Sequence, residues 1–307
     1  MESQSAINLA EYMNGSIRNI MATAYKNVLS NPREAKFAFK MQRLFEKSEK
    51  RRKKMAESEG LDVPPFLISS ISTTCNLHCK GCYARSNGIA EDKESDRKAT
   101  LTPEQWRHIF EEAAEMGINF SLLAGGEPMM RKDILEQVAE VKDMIFPIFT
   151  NGTLIGPSYM EFLRKNLNMV PIISLEGTAI GTDERRGQGV FKRAMQSMEM
   201  LKTENLFFGT SITVTTENMQ LVTSADFINQ LRGYGCKIVF YIEYVPTEPG
   251  TEHLAFSDSN VLELGVRQAL KSPLFKKIRA ARALGWEHTG GCTLFEHREE
   301  IEQMMNK

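Results

Sequence analysis

From residue 66 onward the chain alternates six times between a short apolar segment and a longer segment with helical periodicity. The short segments are apolar nearly throughout, as parallel strands covered on both faces are. A repeated βα unit predicts a parallel sheet with right-handed crossovers. Six units close only part of a barrel, so we expect an α/β fold, a partial (β/α)6 parallel barrel with a lateral opening. The predicted strands lie within 66–74, 118–128, 146–153, 170–178, 206–215 and 237–246, and the predicted helices cover 102–117, 133–144, 158–168, 189–204 and 218–232.

The segments on either side of this alternation predict two further regions. Residues 1–60 carry helical apolar stripes with a break at Asn31-Pro32, and they predict an N-terminal helical extension whose basic run at 50–54 is a solvated helix face. Residues 61–250 carry the partial barrel, and residues 251–307 a short helical C-terminal tail. We expect the N-terminal helices to dock a partner, to cover the bottom of the barrel or to mediate self-association.

Charge and hydropathy exclude several classes of protein. Lys and Arg total 38 and Asp and Glu 39, so the net charge of −1 gives no reason to expect nucleic acid as a partner. No apolar run reaches the roughly 18 residues that a membrane span needs. The first 15 residues contain two acidic residues and no apolar signal core. We therefore expect a cytoplasmic protein.

Three of the five cysteines, Cys75, Cys79 and Cys82, fall within eight residues. In a reducing compartment such a cluster more often binds metal or takes part in catalysis than forms disulfides. A structural zinc site needs four ligands, and His78 is the nearest candidate for the fourth. An iron–sulfur cubane is also held by thiolates, and three of them leave one iron open for a substrate or cofactor.

Distinctive polar residues follow the predicted strands at their carboxyl ends, where parallel α/β folds place their active sites. Each turn alone has a structural reading, because Gly-rich and Thr-Asn-Gly sequences are common in turns. Ser174 and Glu176 are two residues apart in a strand and so face the same side. Their order after successive strands favours a binding site. Besides the cysteines, the set comprises Gly125, Gly126, Glu127, Thr150, Asn151, Gly152, Ser174, Glu176, Arg185, Arg186, Gly187, Thr213, Thr215, Asn218 and Glu243.

The segments CNLHCKGCYA, AGGEP, TNGT, ISLEGT and DERRGQGVF resemble, in order, the motifs of the radical S-adenosylmethionine (SAM) superfamily over roughly residues 65–246. They are most similar to its peptide- and cofactor-maturing branch, whose members often carry a C-terminal SPASM or twitch extension. The resemblance implies an enzyme that uses a [4Fe–4S] cluster to cleave SAM reductively to a 5′-deoxyadenosyl radical. That radical would abstract hydrogen from an unknown peptide or small-molecule substrate, with a flavodoxin- or ferredoxin-type reductant as partner.

The resemblance also implies residue roles. The cluster ligands would be Cys75, Cys79 and Cys82, and no catalytic residue is assigned beyond them. The residues implied to contact SAM are Gly125, Gly126 and Glu127 at its ammonium group, Ser174 and Glu176 at its ribose, Arg186 at its carboxylate, Asn151 in the same pocket, and Tyr83 as the nearest aromatic group for its adenine.

The chain departs from the family pattern at three places. Gly81 stands where an aromatic residue often precedes the third cysteine, and Glu176 stands where this branch commonly has Asp. The C-terminal part resembles a SPASM-like extension without its cysteine-rich stretch. We expect Cys236 and Cys292 to be small buried residues, because two cysteines do not complete an auxiliary cluster.

Several alternatives remain open from the sequence. One is a non-enzymatic iron–sulfur protein that transfers electrons or acts as a sensor, and another is an inactive, shortened relative of the family. A third alternative is a zinc-binding module that uses the three cysteines with His78. A fourth is an enzyme that catalyses a SAM-dependent methyl transfer.

Overall fold

A computed structural model describes residues 32–61, 63–88, 90–92 and 101–256. Its centre is one six-stranded parallel sheet in which strands follow each other in chain order. The sheet curls into a half-barrel, which confirms the predicted fold class. The strands are β1 (Phe66–Ser72), β2 (Phe120–Gly125), β3 (Phe146–Thr150), β4 (Met169–Leu175), β5 (Gly209–Val214) and β6 (Ile238–Glu243).

Helices connect the strands and precede the sheet. The helices are α1 (Pro32–Glu59), α2 (Tyr83–Ser86), α3 (Pro103–Met116), α4 (Lys132–Val138), α5 (Pro157–Lys165), α6 (Ala179–Arg186), α7 (Val190–Thr203), α8 (Met219–Val222) and α9 (Ala225–Gly233), with short 3₁₀ turns at Pro128–Met130 and Glu252–Leu254. The prediction of one helix over 218–232 is wrong in detail, because the segment divides into α8 and α9. The Ser224 side chain accepts a hydrogen bond from the Phe227 N–H (3.2 Å) and so begins a new helix.

Two hydrophobic clusters cover the two faces of the sheet. On β4, Ile173 and Leu175 belong to the larger cluster under the crossover helices, whereas Val170 and Ile172 belong to the smaller one. Alternate strand residues face opposite sides, so Val170 and Ile172 share the inner, concave face with Ser174 and Glu176.

Helix α1 packs on the inner face, below these polar residues. Its buried residues Met41, Leu44 and Phe45 contact the smaller cluster, which includes Val170 and Ile172 near the start of β4. Of the three expectations for the N-terminal helices, α1 corresponds to the one that covers the bottom of the barrel.

The basic run of α1 is not simply a solvated face. Arg51 donates to the Ala114 carbonyl (2.7 Å) and pairs with Asp143 (3.1 Å), and the buried Arg52 donates to the Gly117 carbonyl. The end of α3 leaves carbonyls without helical partners, so these cations join α1 to α3.

Residues 257–307 of the C-terminal tail, with Cys292, lie outside the described residues, as do residues 1–31. Within the part of the chain that the structure describes, no helix has both the length and the apolarity to cross a membrane.

Candidate cofactor-binding site

The loop that follows β1 carries three free, partly exposed thiols, those of Cys75, Cys79 and Cys82. The backbone N–H of Cys75 donates to the Glu91 carbonyl (3.0 Å). The guanidinium of Arg85 donates to the carbonyls of Leu77 (2.9 Å) and Cys75 (3.1 Å). The protein's own hydrogen bonds therefore fix the shape of this cysteine loop, residues 75–82.

His78 is directed away from a role as fourth ligand. Its Nε2 atom lies 2.7 Å from the Asp92 carboxylate, and its side chain is 68% exposed. Across the described ranges, no three His, Cys, Asp or Glu side chains lie close enough together to hold a single metal ion. Zinc needs ligands that converge on one point, whereas the thiolates of a cubane bind different irons and stand further apart. In this structure His78 therefore pairs with Asp92 and not with the three thiols.

Burial controls the ionisation of the Cys75 and Cys79 thiols. Desolvation raises the pKa of Cys75 to about 11, and the nearby carboxylate of Glu127 adds to the effect. Desolvation also raises the pKa of Cys79, although the guanidinium groups of Arg186 and Arg185 oppose it. Both groups are therefore neutral thiols at neutral pH in the metal-free protein, and a bound metal must displace their protons.

The glycine-rich turn after β2 packs directly against the backbone that leads into the cysteine loop. A Cβ on Gly125, which has φ +125°, would overlap the Ser72 carbonyl, and one on Gly126 would overlap the Thr74 carbonyl. The N–H of Gly126 donates to the Ser72 carbonyl (2.8 Å), and that of Glu127 to the Thr74 carbonyl (2.8 Å). This contact explains why both positions are glycine.

Glu127 joins the ends of β2 and β3. Its carboxylate is 1% exposed and accepts hydrogen bonds from Met129 N–H (2.9 Å), Thr150 Oγ1 (2.7 Å) and Asn151 N–H (2.8 Å). Burial raises its pKa, and the three bonds act in the opposite direction. The side chain therefore fixes the Thr-Asn-Gly turn in addition to any contact with a ligand.

Asn151 connects that turn to the cysteine loop. Its Nδ2 donates to Asn76 Oδ1 (2.9 Å), and Asn76 Nδ2 donates to Thr153 Oγ1 (2.9 Å). No motif predicts a role for Asn76, whose only signal in the sequence is its position next to the first cysteine.

Glu176, at the end of β4, binds two arginines of α6. Its Oε1 atom accepts hydrogen bonds from Arg185 Nη1 (2.6 Å) and Arg186 Nε (2.8 Å), and Arg185 Nη1 also donates to Thr213 on β5 (2.9 Å). Burial opposes the charge of Arg186, but the Glu176 carboxylate raises its pKa. Arg185 and Arg186 thus bring two guanidinium groups next to the cysteine loop, and guanidinium groups bind anionic ligands.

The remaining predicted residues differ in their placement. Ser174 lies on the inner face, where its Oγ is 2.9 Å from Ser211 Oγ. Tyr83 begins α2 and its ring is 63% exposed. Glu243 is half-buried on β6, at the edge of the sheet.

A parallel half-barrel with three thiols, a glycine-rich turn and an arginine pair at its carboxyl edge defines an α/β protein that binds a cofactor at its strand ends. Residues 69–228, more than half of the chain, match the model of the radical SAM superfamily, and the chain belongs to that superfamily.

Similar proteins come from several maturation and biosynthetic systems. The AdoMet-dependent heme synthase of Methanosarcina barkeri is 29% identical over 195 residues, 62% of this chain and 54% of that protein. The sporulation killing factor maturation protein SkfB of Bacillus subtilis is 26% identical over 229 residues, 74% of this chain and 53% of that protein. The chain thus spans about half the length of these curated relatives.

Two solved structures share the fold. Streptococcus suis SuiB bound to S-adenosylmethionine has a TM-score of 0.54 and 19% identity over 72% of this chain and 50% of its own. The structure of anSMEcpe with bound AdoMet has a TM-score of 0.51 and 20% identity over 69% of this chain and 59% of its own. They support the half-barrel architecture.

Proposed function

We propose that this chain is a radical SAM enzyme that holds a [4Fe–4S] cluster on Cys75, Cys79 and Cys82. When bound, the cluster would supply the electron that cleaves SAM reductively to a 5′-deoxyadenosyl radical, which abstracts hydrogen from substrate. The observation that carries the proposal is a continuous set of contacts. The side chain of Asn151 and the backbone of Arg185 bond to the loop that bears the thiols, and the turn at Gly126 bonds to the residues that lead into it.

The donor set fits a cluster with one open iron and an amino acid beside it. Three thiolates can bind three of the four irons of a cubane and leave the fourth iron open. The guanidinium group of Arg186 has five N–H donors, and its contacts with Glu176 involve only some of them. We therefore propose that Arg186 also binds the SAM carboxylate. The close approach of Gly125 and Gly126 to the backbone that leads into the cysteine loop supports a place for the SAM ammonium at this turn, with the Glu127 carboxylate behind it.

The inner face supports the rest of the proposed SAM site. Ser174 and Glu176 are proposed to bind the ribose hydroxyls, because both lie on this face next to the arginines. Asn151 is proposed to line the same pocket, and the Tyr83 ring, which has solvent on one side, to approach the adenine. The buried side chains below would exclude water from a reactive intermediate.

We propose a peptide as the first substrate class to test, with a flavodoxin- or ferredoxin-type reductant. Relatives include the mycofactocin maturase MftC of Mycobacterium tuberculosis, 29% identical over 182 residues. One structure of similar fold is SuiB bound to the precursor peptide SuiA, with a TM-score of 0.52. The heme synthase relative makes a small molecule the second class to test. A cytoplasmic location completes the proposal.

The test is production of 5′-deoxyadenosine. The protein is purified anaerobically, reconstituted with iron and sulfide, reduced with dithionite and mixed with SAM, with Cys79→Ala treated in parallel. We expect 5′-deoxyadenosine from the parent and none from the variant. A brown protein that leaves SAM intact would instead indicate an electron carrier, a sensor or an inactive relative, and a colourless protein that contains zinc would overturn the proposal.

A further inference from the structure

Gly81, between the second and third cysteines, is held from two directions. Its N–H donates to Glu248 Oε1 (3.0 Å), and its carbonyl accepts from Arg185 Nη2 (3.4 Å). The preceding N–H, that of Lys80, donates to the Arg185 carbonyl (2.8 Å). Gly81 is buried and has φ +60°. Glycine adopts this conformation at little cost, and it can adopt others equally well. The geometry of this peptide therefore depends on its external partners.

A tyrosine from the far side of the barrel packs on the same residue. A Cβ on Gly81 would lie 2.5 Å from Tyr244 Oη and 2.9 Å from its Cε2, so the ring occupies the space of a side chain. Tyr244 is 5% exposed, and its N–H donates to the Val214 carbonyl (3.0 Å), which continues the pairing of β6 with β5.

These contacts bridge the two ends of the open sheet. In sheet order β1 is first and β6 is last, and within the described residues they do not pair with each other. The cysteine loop follows β1, whereas Tyr244 and Glu248 follow β6. Glu248 is itself fixed, because its carbonyl accepts from both the N–H (3.3 Å) and the Oγ1 (2.6 Å) of Thr251.

We infer that Glu248 is a positioning residue that joins the β6 side of the half-barrel to the cysteine loop and fixes the backbone between Cys79 and Cys82. The carboxylate acts as a hydrogen-bond acceptor for the Gly81 N–H. Without that acceptor the 80–82 segment gains backbone freedom, and the two thiols lose their fixed relation. The inference rests on the proposed function only for the identity of the group that these thiols hold.

The first test uses the full-length, metal-free protein under anaerobic conditions. Glu248→Ala removes the acceptor, whereas Glu248→Gln keeps an oxygen that accepts from the same N–H. Glu252→Ala, which removes another exposed carboxylate of the same segment, is the matched control. The readout is the rate at which iodoacetamide modifies Cys79 and Cys82 relative to Cys75 in the same molecules, measured by peptide mass spectrometry.

We expect Glu248→Ala to raise the rate of modification of Cys79 and Cys82, relative to that of Cys75, about fivefold. Loss of one ordinary hydrogen bond changes an equilibrium constant by about this factor. Glu248→Gln and Glu252→Ala should stay at the parental rate. Parental rates for Glu248→Ala would overturn the inference. Equal effects of Glu248→Ala and Glu248→Gln would also overturn it, because the charge and not the hydrogen bond would then be responsible.

The second test uses the reconstituted proteins and the electron paramagnetic resonance spectrum of the reduced state with SAM. We expect Glu248→Ala to shift or broaden the spectrum and Glu248→Gln to restore the parental one. If no variant and no parent forms a cluster, the proposed function fails, while the thiol-modification result still decides the role of Glu248. An unchanged spectrum in Glu248→Ala would contradict a role in positioning the cluster.

Discussion

Gly126 lies where the backbones of two functional loops meet, after β1 and after β2. Its φ is not in the left-handed region, so the requirement for glycine is purely steric and comes from the Thr74 carbonyl. The bonds between these loops determine how the glycine-rich turn faces the thiols. At this scale the site is sensitive to single atoms.

Gly126→Ala should destabilise the metal-free protein by about 1–3 kcal/mol, the usual cost of forcing an atom into a packed region. The measurement is the free energy of unfolding in urea. Gly156→Ala is the control, since a Cβ there meets nothing within 4 Å. Equal unfolding midpoints for Gly126→Ala and the parent would contradict the packing argument.

Glu127→Gln tests the acceptor role of the buried carboxylate. An amide places its NH₂ group either against the Asn151 N–H or against both the Met129 N–H and the Thr150 hydroxyl, and so leaves a backbone N–H without its acceptor. We expect a loss of about 1–3 kcal/mol in the free energy of unfolding. Glu112→Gln, at an exposed position of α3, should be neutral. A neutral Glu127→Gln would show that these bonds do not stabilise the fold.

At the scale of elements, Asp183 of α6 connects one helix to the next. Its carboxylate accepts from the N–H groups of Gly189 (2.9 Å) and Phe191 (2.8 Å) at the start of α7. Bonds from Phe191 and Gly189 lower the pKa of Asp183 below its ordinary value of 3.8. The ionised group thus stabilises the end of the segment that carries Arg185 and Arg186.

Asp183→Ala should lower the melting temperature near neutral pH. Because the folded-state pKa is depressed, this stabilisation is present above the unfolded pKa and is lost as the pH falls through the folded pKa. The difference between parent and variant should therefore narrow only below about pH 4. Thermal melts of parent and variant from neutral pH to below about pH 4 measure this difference, with Glu184→Ala, at an exposed position, as the control. A difference that is constant with pH would contradict the role of the charge.

Helix α1 offers a matched pair of aromatic residues. Phe45 is 8% exposed, with its ring 5.1 Å from that of Phe120, whereas Phe39 is 53% exposed. Phe45→Ala should cost about 3–5 kcal/mol in urea unfolding, and Phe39→Ala less than about 1 kcal/mol. Similar losses for the two variants would show that α1 is not anchored on the inner face.

The elements were predictable from the sequence where one physical signal dominated. The strands are uninterrupted apolar runs, and α3 has its capping box at Thr102 and Gln105. The division into α8 and α9 was missed because Ser224, a cap, stands inside an otherwise continuous helical pattern. The place of α1 was left among three alternatives, because an apolar stripe does not specify which surface it covers.

At the scale of the whole molecule, the described cysteines fall into two sets. Three lie on the loop after β1, whereas Cys236 is 5% exposed, with its Sγ 3.5 Å from Thr210 Oγ1. Its burial agrees with the expectation of a small buried residue. Burial also raises the pKa of Cys236. The thiol is therefore protonated at neutral pH and chemically inert.

Iron content should follow this division. After reconstitution, Cys236→Ala should retain the parental iron and acid-labile sulfide per chain, and alanine at Cys75, Cys79 or Cys82 should lose them. Chemical assays of both elements make the comparison. Loss of iron from Cys236→Ala would place a ligand outside the cysteine loop.

The candidate site was predictable from the sequence only where its residues form short local motifs. Short motifs such as the cysteine cluster and the glycine-rich turn carry their chemistry locally, so the sequence identifies them. The hydrogen bond from the Gly81 N–H to Glu248 spans 167 residues and depends on how the sheet curls. No local pattern encodes such a contact.

Within the described residues, helix α1 covers the inner face of the sheet at the end of the strands away from the thiols. Met41 and Phe45 pack there against the start of β4, whereas β1 and β6 do not pair with each other. Under the proposed function, SAM and substrate would therefore both approach Ser174 from the strand ends that carry the thiols or through the gap between β1 and β6, and the products would leave by the same routes.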